Sequence, residues 1–138
     1  MEDYHQGNIE MSTLQRNAEA GDTLAQYELA SVLSTGFLGE DKIEDSFYWY
    51  MKAALRGHVE SIWNAGLQLV EGKVIERDIE AGLHLIHMAA KERCYGALRF
   101  LGHAYHSGLH GLYMDKQKGE FWYLLADKYK DIDTPSRY

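Results

Sequence analysis

The sequence predicts an all-α fold of antiparallel helix pairs, and three observations lead to that prediction. A pattern of small and large apolar residues recurs every 36 residues. Within each unit these residues stand three and four positions apart, the spacing of a helix face that packs closely against a neighbour. The one proline, Pro135, lies near the C-terminus, so no earlier residue breaks a helix for lack of a backbone N–H. We expect about seven helices in one domain over residues 1–138.

The chain is expected to begin with an incomplete helix pair. Ala18 and Gly21 repeat the spacing of Ala54 and Gly57, so residues 9–20 are predicted to form the second helix of a truncated unit. Such a helix caps the N-terminal face of a helical array, which a repeat protein needs for solubility. Three full units follow at residues 22–57, 58–93 and 94–128, and residues 129–138 form a C-terminal tail.

The first helix of each unit is marked by four sets of equivalent positions. Small residues stand at 25, 61 and 97 and again at 30, 66 and 102, large apolar ones at 33, 69 and 105, and glycine at 36, 72 and 108. A fixed period of this length is typical of arrays in which each helix pair stacks on the next. The glycines are predicted to end the first helices.

The second helix of each unit repeats as well. Its sets of equivalent residues are Ser46, Gly82 and Gly119, then Trp49, Leu85 and Trp122, then Ala53, Ala89 and Ala126, with one residue inserted in the third unit. Asp78 and Asp115 are predicted to cap these helices, because an aspartate can accept a hydrogen bond from a free N–H of the first turn. Asp41 is a looser candidate for the same role in the first unit.

The aromatic segment FYWYMKAALRGH, residues 47–58, could belong to a binding site or to the core. Trp49 has an apolar equivalent in every unit, which is typical of positions that hold a repeat array together. Trp49 and Trp122 are therefore predicted to be core residues.

Two segments resemble a known repeat family. WYMKAALRG, residues 49–57, resembles the second-helix signature Trp-Tyr-x-Lys-Ala-Ala-x-x-Gly of Sel1-like repeats, which are related to tetratricopeptide repeats. LGHAYHSG, residues 101–108, resembles the first-helix signature Leu-Gly-x-x-Tyr-x-x-Gly. The similarity covers residues 18–127, with Arg93-Cys94 in place of the glycine that should close the second unit. It implies a right-handed α-solenoid that acts as a protein-binding scaffold without catalytic residues.

In such solenoids the face of the first helices opposite the core lines a concave groove. The resemblance therefore implies a partner-binding set made of Leu24, Tyr27, Ser31, Trp63, Leu67, Val70, Arg99, His103 and His106. Trp63, Leu67 and Val70 form an apolar strip on a face expected to meet water, and Tyr, Trp and Arg are enriched at binding hot spots. The alternative is that the solenoid curls enough to bury Trp63 against its own neighbours.

Histidine spacing raises the alternative of a small metal-binding module. His103, His106 and His110 stand at i, i+3 and i+7, and His84 and His87 at i and i+3. Zinc needs a third and usually a fourth ligand, and helix is expected to stop at Gly108, before His110. Exposed, solvated histidines are the favoured interpretation, so no metal or cofactor is expected. The sequence also contains no phosphate-binding, nucleophile-elbow or metalloprotease motif, which argues against an enzyme.

Charge and composition suggest the kind of partner. Twenty-one acidic residues against fourteen basic ones give a net charge of −7, which disfavours nucleic acid and favours a basic protein. Cys94 is the one cysteine, and neither a signal peptide nor a membrane-spanning stretch is evident, so we expect a cytoplasmic monomer. The predicted function is a scaffold that binds a partner protein, such as a bacterial immunity protein that neutralises a basic toxin. The alternative is an adaptor in a signalling or envelope complex.

Overall fold

The computed structural model describes residues 2–130, with side chains from residue 11 onward. These residues form seven α-helices and no strand: α1 (Glu2–Glu19), α2 (Thr23–Ser34), α3 (Glu44–Ala54), α4 (Val59–Glu71), α5 (Ile79–Lys91), α6 (Tyr95–Ser107) and α7 (Lys116–Tyr129). The all-α prediction is confirmed. The first helix begins earlier than the predicted residues 9–20, and most of the predicted C-terminal tail lies outside the described residues.

The chain divides into two compact units, Met1–Ser61 and Ile62–Tyr138. The first unit contains a core of Ala18, Ala25, Leu29 and Leu33, and Trp49 packs against it together with Met11, Leu14 and Leu38. Trp49 is therefore part of the scaffold, as its repeat position predicts.

In the second unit, paired helices approach each other backbone to backbone. A Cβ atom built on Gly82 of α5 would lie 2.8 Å from the carbonyl oxygen of Gly66 on α4. A Cβ atom on Gly119 of α7 would lie equally close, 2.8 Å, to the carbonyl oxygen of Gly102 on α6. The small residues of the repeat are therefore the points where two helices touch.

The helix ends agree with the sequence at two of the three predicted caps. Asp78 accepts a hydrogen bond from the Ala81 N–H at 3.1 Å, and Asp115 accepts one from the Lys118 N–H at 3.0 Å. The prediction for Asp41 is wrong. Asp41 lies inside a short 3₁₀ helix, Glu40–Lys42, and Ile43 continues from it into α3 with helical backbone angles, which leaves no extended cap residue.

The second sequence repeat, residues 58–93, has Arg93 in place of the closing glycine and still makes the same turn. Gly57 closes the preceding pair with φ of 86°, and Arg93 takes the left-handed backbone at its own position with φ of 65°. Its guanidinium also lies 5.3 Å from the ring centre of Tyr129, a cation–π contact that holds the residue in place.

No helix among the described residues has the length and apolar character that crossing a membrane requires.

Candidate protein-binding surface

One exposed face of α6 in the second unit gathers three of the predicted binding residues. Arg99, His103 and His106 are all exposed on this helix. The Arg99 guanidinium donates a hydrogen bond to the hydroxyl of Tyr95 at 3.4 Å, and this bond raises the pKa of Arg99 above its ordinary value. Arginine stays charged at physiological pH, so Arg99 presents a cation at the helix surface beside Tyr95.

Helix α7 supplies the other side of this face. Tyr123 lies with its hydroxyl 3.5 Å from Nδ1 of His103 and its ring 6.3 Å from the imidazole of His106. Its ring occupies the space over Gly102, where an added Cβ would be only 2.8 Å from Cδ1 of the tyrosine. The absence of a side chain at Gly102 therefore sets the position of Tyr123.

An open cleft of about 290 Å³ lies between the two helices, lined by Tyr95, Arg99, Tyr123, Leu124, Ala126 and Asp127. Leu124 is 62% exposed, so a large apolar side chain stands next to the cation. We call Tyr95, Arg99, His103, His106, Tyr123 and Leu124 the α6 surface. Tyr123 and Leu124 were not among the predicted residues, because α7 reaches this face only in the packed structure. Tyr95 was missed although it lies on α6 itself, four residues before Arg99, a spacing that places two side chains on one helix face.

The Trp63 side chain is half-buried, so its exposure is intermediate between the open binding face and the buried core position that the sequence left as alternatives. Its indole ring packs over Gly96 of α6, where an added Cβ would lie 2.7 Å from the indole nitrogen. The ring also meets Phe100 edge to face, with the ring centres 5.8 Å apart. Because Gly96 is one helical turn before Arg99 and two before His103, Trp63 borders the face that carries these residues.

The expectation that Val70 meets water is wrong, since its side chain is 3% exposed. Val70 lies on α4, and its Cγ2 would be 2.6 Å from a Cβ built on Gly82 of α5. The close approach of α5, which Gly82 permits, covers Val70. Leu67, one turn earlier, is half-buried.

The three predicted residues of the first unit differ in exposure. Tyr27 is 6% exposed, which corrects the expectation that it lies on an open face: its ring packs 4.7 Å from the imidazole of His58 and 6.1 Å from the ring of Tyr50. Ser31 is half-buried and lies 3.4 Å from the Tyr50 hydroxyl, which donates to it. Leu24 is 50% exposed, so it is the member of this group most available to a partner.

The histidines do not form a metal site within residues 11–130, where no group of three or more His, Cys, Asp and Glu side chains is arranged to hold an ion. His84 is exposed, like His103 and His106, but two others depart from the expected solvated state. His87 lies 2.8 Å from the Leu83 carbonyl oxygen and 3.2 Å from the Tyr105 hydroxyl, one contact for each ring nitrogen.

His110 is the second histidine that departs from the expectation. It lies beyond the end of α6, with φ of 57°, and stacks on Phe100 with the ring centres 5.1 Å apart. Partial burial lowers the pKa of His110, and the nearby charges of His103 and Arg77 lower it further. The imidazole therefore favours its neutral form and serves as a packing group.

Comparison with known proteins identifies the same repeats. The Sel1 repeat family matches residues 23–58, 59–93 and 96–126. The chitin synthase regulator SKT5 of Saccharomyces cerevisiae is 32% identical over 118 residues, which cover 83% of this chain and 17% of SKT5.

Two solved structures share the fold, each with a TM-score of 0.78. One is a Sel1 repeat protein from Oxalobacter formigenes, with 25% identity over 88% of this chain and 49% of that one. The other is c5321, a protective antigen of uropathogenic Escherichia coli that displays an SLR fold, with 27% identity over 86% of this chain and 25% of that one. The chain thus spans half or less of the length of these relatives.

These similarities confirm the predicted fold class, an α-solenoid of antiparallel helix pairs. Proteins built from Sel1 repeats generally act as scaffolds for protein–protein interaction and have no catalytic activity of their own. Since the three matched repeats account for most of its residues, the chain belongs to the Sel1 repeat family.

Proposed function

We propose that this chain is a non-catalytic scaffold that binds a partner protein through the α6 surface, with Trp63 at its border. The observation that carries the proposal is the open cleft in which Arg99, held by Tyr95, stands beside the exposed Leu124. Arginine and aromatic residues around an apolar contact are the composition typical of binding hot spots.

The side chains of this surface are arranged before any partner arrives. Arg99 is held by the Tyr95 hydroxyl, and Tyr123 is held over Gly102 and beside His103. A side chain that is already ordered loses less conformational entropy on binding, so the same contacts give a higher affinity. This preorganisation supports a binding role over that of a merely solvated helix face.

Two cellular roles are candidates for this chain. The acidic balance of the chain, −7, supports the prediction of an immunity protein that neutralises a basic toxin. The similarity to SKT5, a regulator of chitin synthase, supports the second candidate, an adaptor that assembles or regulates an enzyme complex.

We further propose a cytoplasmic monomer that binds neither nucleic acid nor membrane, on the basis of the same net charge and the lone, buried Cys94.

The test compares the wild type with the double variant Arg99→Glu/Leu124→Asp. Each affinity-tagged protein is expressed in its native cells, and the captured proteins are quantified by mass spectrometry. A matched control is Arg16→Glu/Met114→Asp, which makes the same charge changes and replaces a residue with 63% exposure in place of the 62% of Leu124. We expect a partner that the wild type and the control retain and that the α6 variant loses at least about tenfold. Equal capture by all three proteins would contradict the proposal.

The partner, once identified, separates the two roles. If the chain is an immunity protein, expression of the partner alone stops growth, and the wild type restores growth while the Arg99→Glu/Leu124→Asp variant does not. If the chain is an adaptor, the partner alone is harmless, and the variant lowers the yield or activity of the assembled complex.

A further inference from the structure

The first unit contains a second cleft, formed by α3 and by the turn between α1 and α2. Its volume is about 480 Å³, and its lining consists of Glu19, Gly21, Gln26, Phe47, Tyr48, Met51, Lys52, Leu55 and Arg56. None of these residues belongs to the predicted partner-binding set. We call this feature the α3 cleft.

The apolar residues of the α3 cleft are exposed beyond what the scaffold requires. Leu55 is 81% exposed and Tyr48 is 53% exposed. The residues equivalent to Leu55 in the next two units are Lys91 and Lys128, so the repeat itself needs no apolar side chain at this position. A contiguous exposed apolar patch is typical of an interaction site, and Leu55 and Tyr48 line the same cleft.

The cations of the α3 cleft face no carboxylate at ion-pair distance among residues 11–130. Lys52 lies with its ammonium group 5.5 Å from the centre of the Tyr48 ring. A guanidinium nitrogen of Arg56 lies 4.0 Å from the position that a Cβ on Gly21 would occupy, so Arg56 extends over the α1–α2 turn. Glu19 is the one acidic residue of the lining, which leaves the cleft with a net positive charge in a chain whose net charge is −7.

The openness of the α3 cleft favours a protein segment as its occupant over a small molecule. A site for a small molecule encloses most of the ligand, whereas Leu55 in the lining of this cleft stays 81% exposed. Only an occupant that extends along α3 can cover Tyr48, Met51 and Leu55 together, since these residues span about two helical turns.

We propose that the α3 cleft is a second docking site, which binds an acidic segment of a partner protein that carries a large apolar side chain next to its carboxylates. The apolar side chain covers Leu55 and packs beside Tyr48, and the carboxylates pair with Lys52 and Arg56. The site shares no residue with the α6 surface and lies in the other compact unit.

The experiment begins with a displayed library of random dodecapeptides, which is selected on the immobilised wild-type protein. Selected peptides are synthesised with a fluorescent label, and their dissociation constants are measured by anisotropy. The first variant, Leu55→Lys, introduces the residue that the other two units carry and adds a positive charge. The second, Lys52→Glu/Arg56→Glu, reverses the charge of the cleft. The matched control, Lys73→Glu/Lys116→Glu, reverses two exposed lysines outside the cleft.

We expect the selected peptides to combine Asp or Glu with Leu, Phe or Tyr. Their binding should weaken at least about tenfold in Leu55→Lys, although this variant is more positive, and by a similar factor in the charge-reversed variant. The control should bind as the wild type does. Higher salt should weaken wild-type binding, because it screens exposed charges.

Three outcomes would overturn the proposal. One is the absence of any peptide whose binding depends on Leu55. The second is a set of selected peptides that are neutral or basic. The third is self-association of the wild type in sedimentation experiments that both cleft variants abolish, which would make a second copy the occupant. Circular dichroism of each variant verifies its fold, and Leu55→Ala replaces Leu55→Lys if the lysine variant melts early.

Discussion

The contact between α6 and α7 makes a sharp prediction about Gly119→Ala. The new Cβ would lie 2.8 Å from the carbonyl oxygen of Gly102 and 2.8 Å from both the backbone nitrogen and the Cβ of His106. Two of these three atoms belong to the backbone, so the helices must move apart and no side chain can simply rotate away. Overpacking of this kind costs about 1–3 kcal/mol, while alanine in place of glycine gains about 1 kcal/mol of helix propensity.

Because two of the three short contacts are with backbone atoms, the cost is taken from the upper part of that range, about 2–3 kcal/mol. Less the gain in helix propensity, the expected net loss for Gly119→Ala is about 1–2 kcal/mol, which for a chain of this size lowers the melting temperature by roughly 4–8 °C. The matched control is Ser46→Ala, the equivalent position in the first unit. Ser46 is fully buried, so a Cβ already fits there, and its hydroxyl donates to the Ile43 carbonyl oxygen at 2.6 Å. Removal of that hydroxyl should cost only about 0.5–1.5 kcal/mol, less the gain in helix propensity.

Thermal unfolding followed by circular dichroism measures both variants. If Gly119→Ala melts at the wild-type temperature or above it, helix propensity outweighs the clash, and α6 and α7 are not in backbone contact. A larger loss in Ser46→Ala than in Gly119→Ala would likewise contradict the reasoning.

Three further predictions concern single residues, and a fourth concerns metal. Trp122→Ala should destabilise the fold by about 3 kcal/mol, the lower end of the range for buried aromatics, because Trp122 is only partly buried; an unchanged urea midpoint would show that its packing is unimportant. Trp63→Ala should weaken binding to the partner of the α6 surface about thirtyfold, which corresponds to the loss of a hot spot of about 2 kcal/mol. The same variant should lower the melting temperature, because the indole packs on Gly96. Unchanged affinity would show that Trp63 does not belong to the site. The pKa of His110 is lower in the folded chain than in the unfolded one, so its contribution to stability is complete above the unfolded pKa and is lost as pH falls through the interval between the two values. The variant His110→Asn, whose side chain tolerates the left-handed backbone, should therefore show a smaller fall in melting temperature between neutral pH and pH 5. A fall equal to that of the wild type would refute the assignment. Excess chelator should leave the circular dichroism spectrum and the melting curve unchanged, whereas a loss of helix would reveal a structural metal.

Local patterns in the sequence were enough to predict the helix pairs and several of their ends. The spacing of small and large residues reflects the geometry of one helix, so it can be recognised without knowing what the helix meets. Asp78 and Asp115 cap α5 and α7 because a cap involves residues only three positions apart. The predicted cap at Asp41 is wrong because the linker before α3 forms a 3₁₀ helix, and the repeat pattern contains no information about that linker.

The exposure of individual residues was decided by the tertiary structure alone. Val70 and Tyr27 were assigned to an open face by their helical positions, but the approach of α5 covers the first, and His58 and Tyr50 cover the second. How closely two helices approach depends on small residues far apart in the chain, so burial cannot be calculated from one helix. The segment FYWYMKAALRGH shows the same division: its repeat signature assigns Trp49 to the scaffold, while only the packing of α1, α2 and α3 leaves Tyr48 and Leu55 exposed beside Lys52 and Arg56.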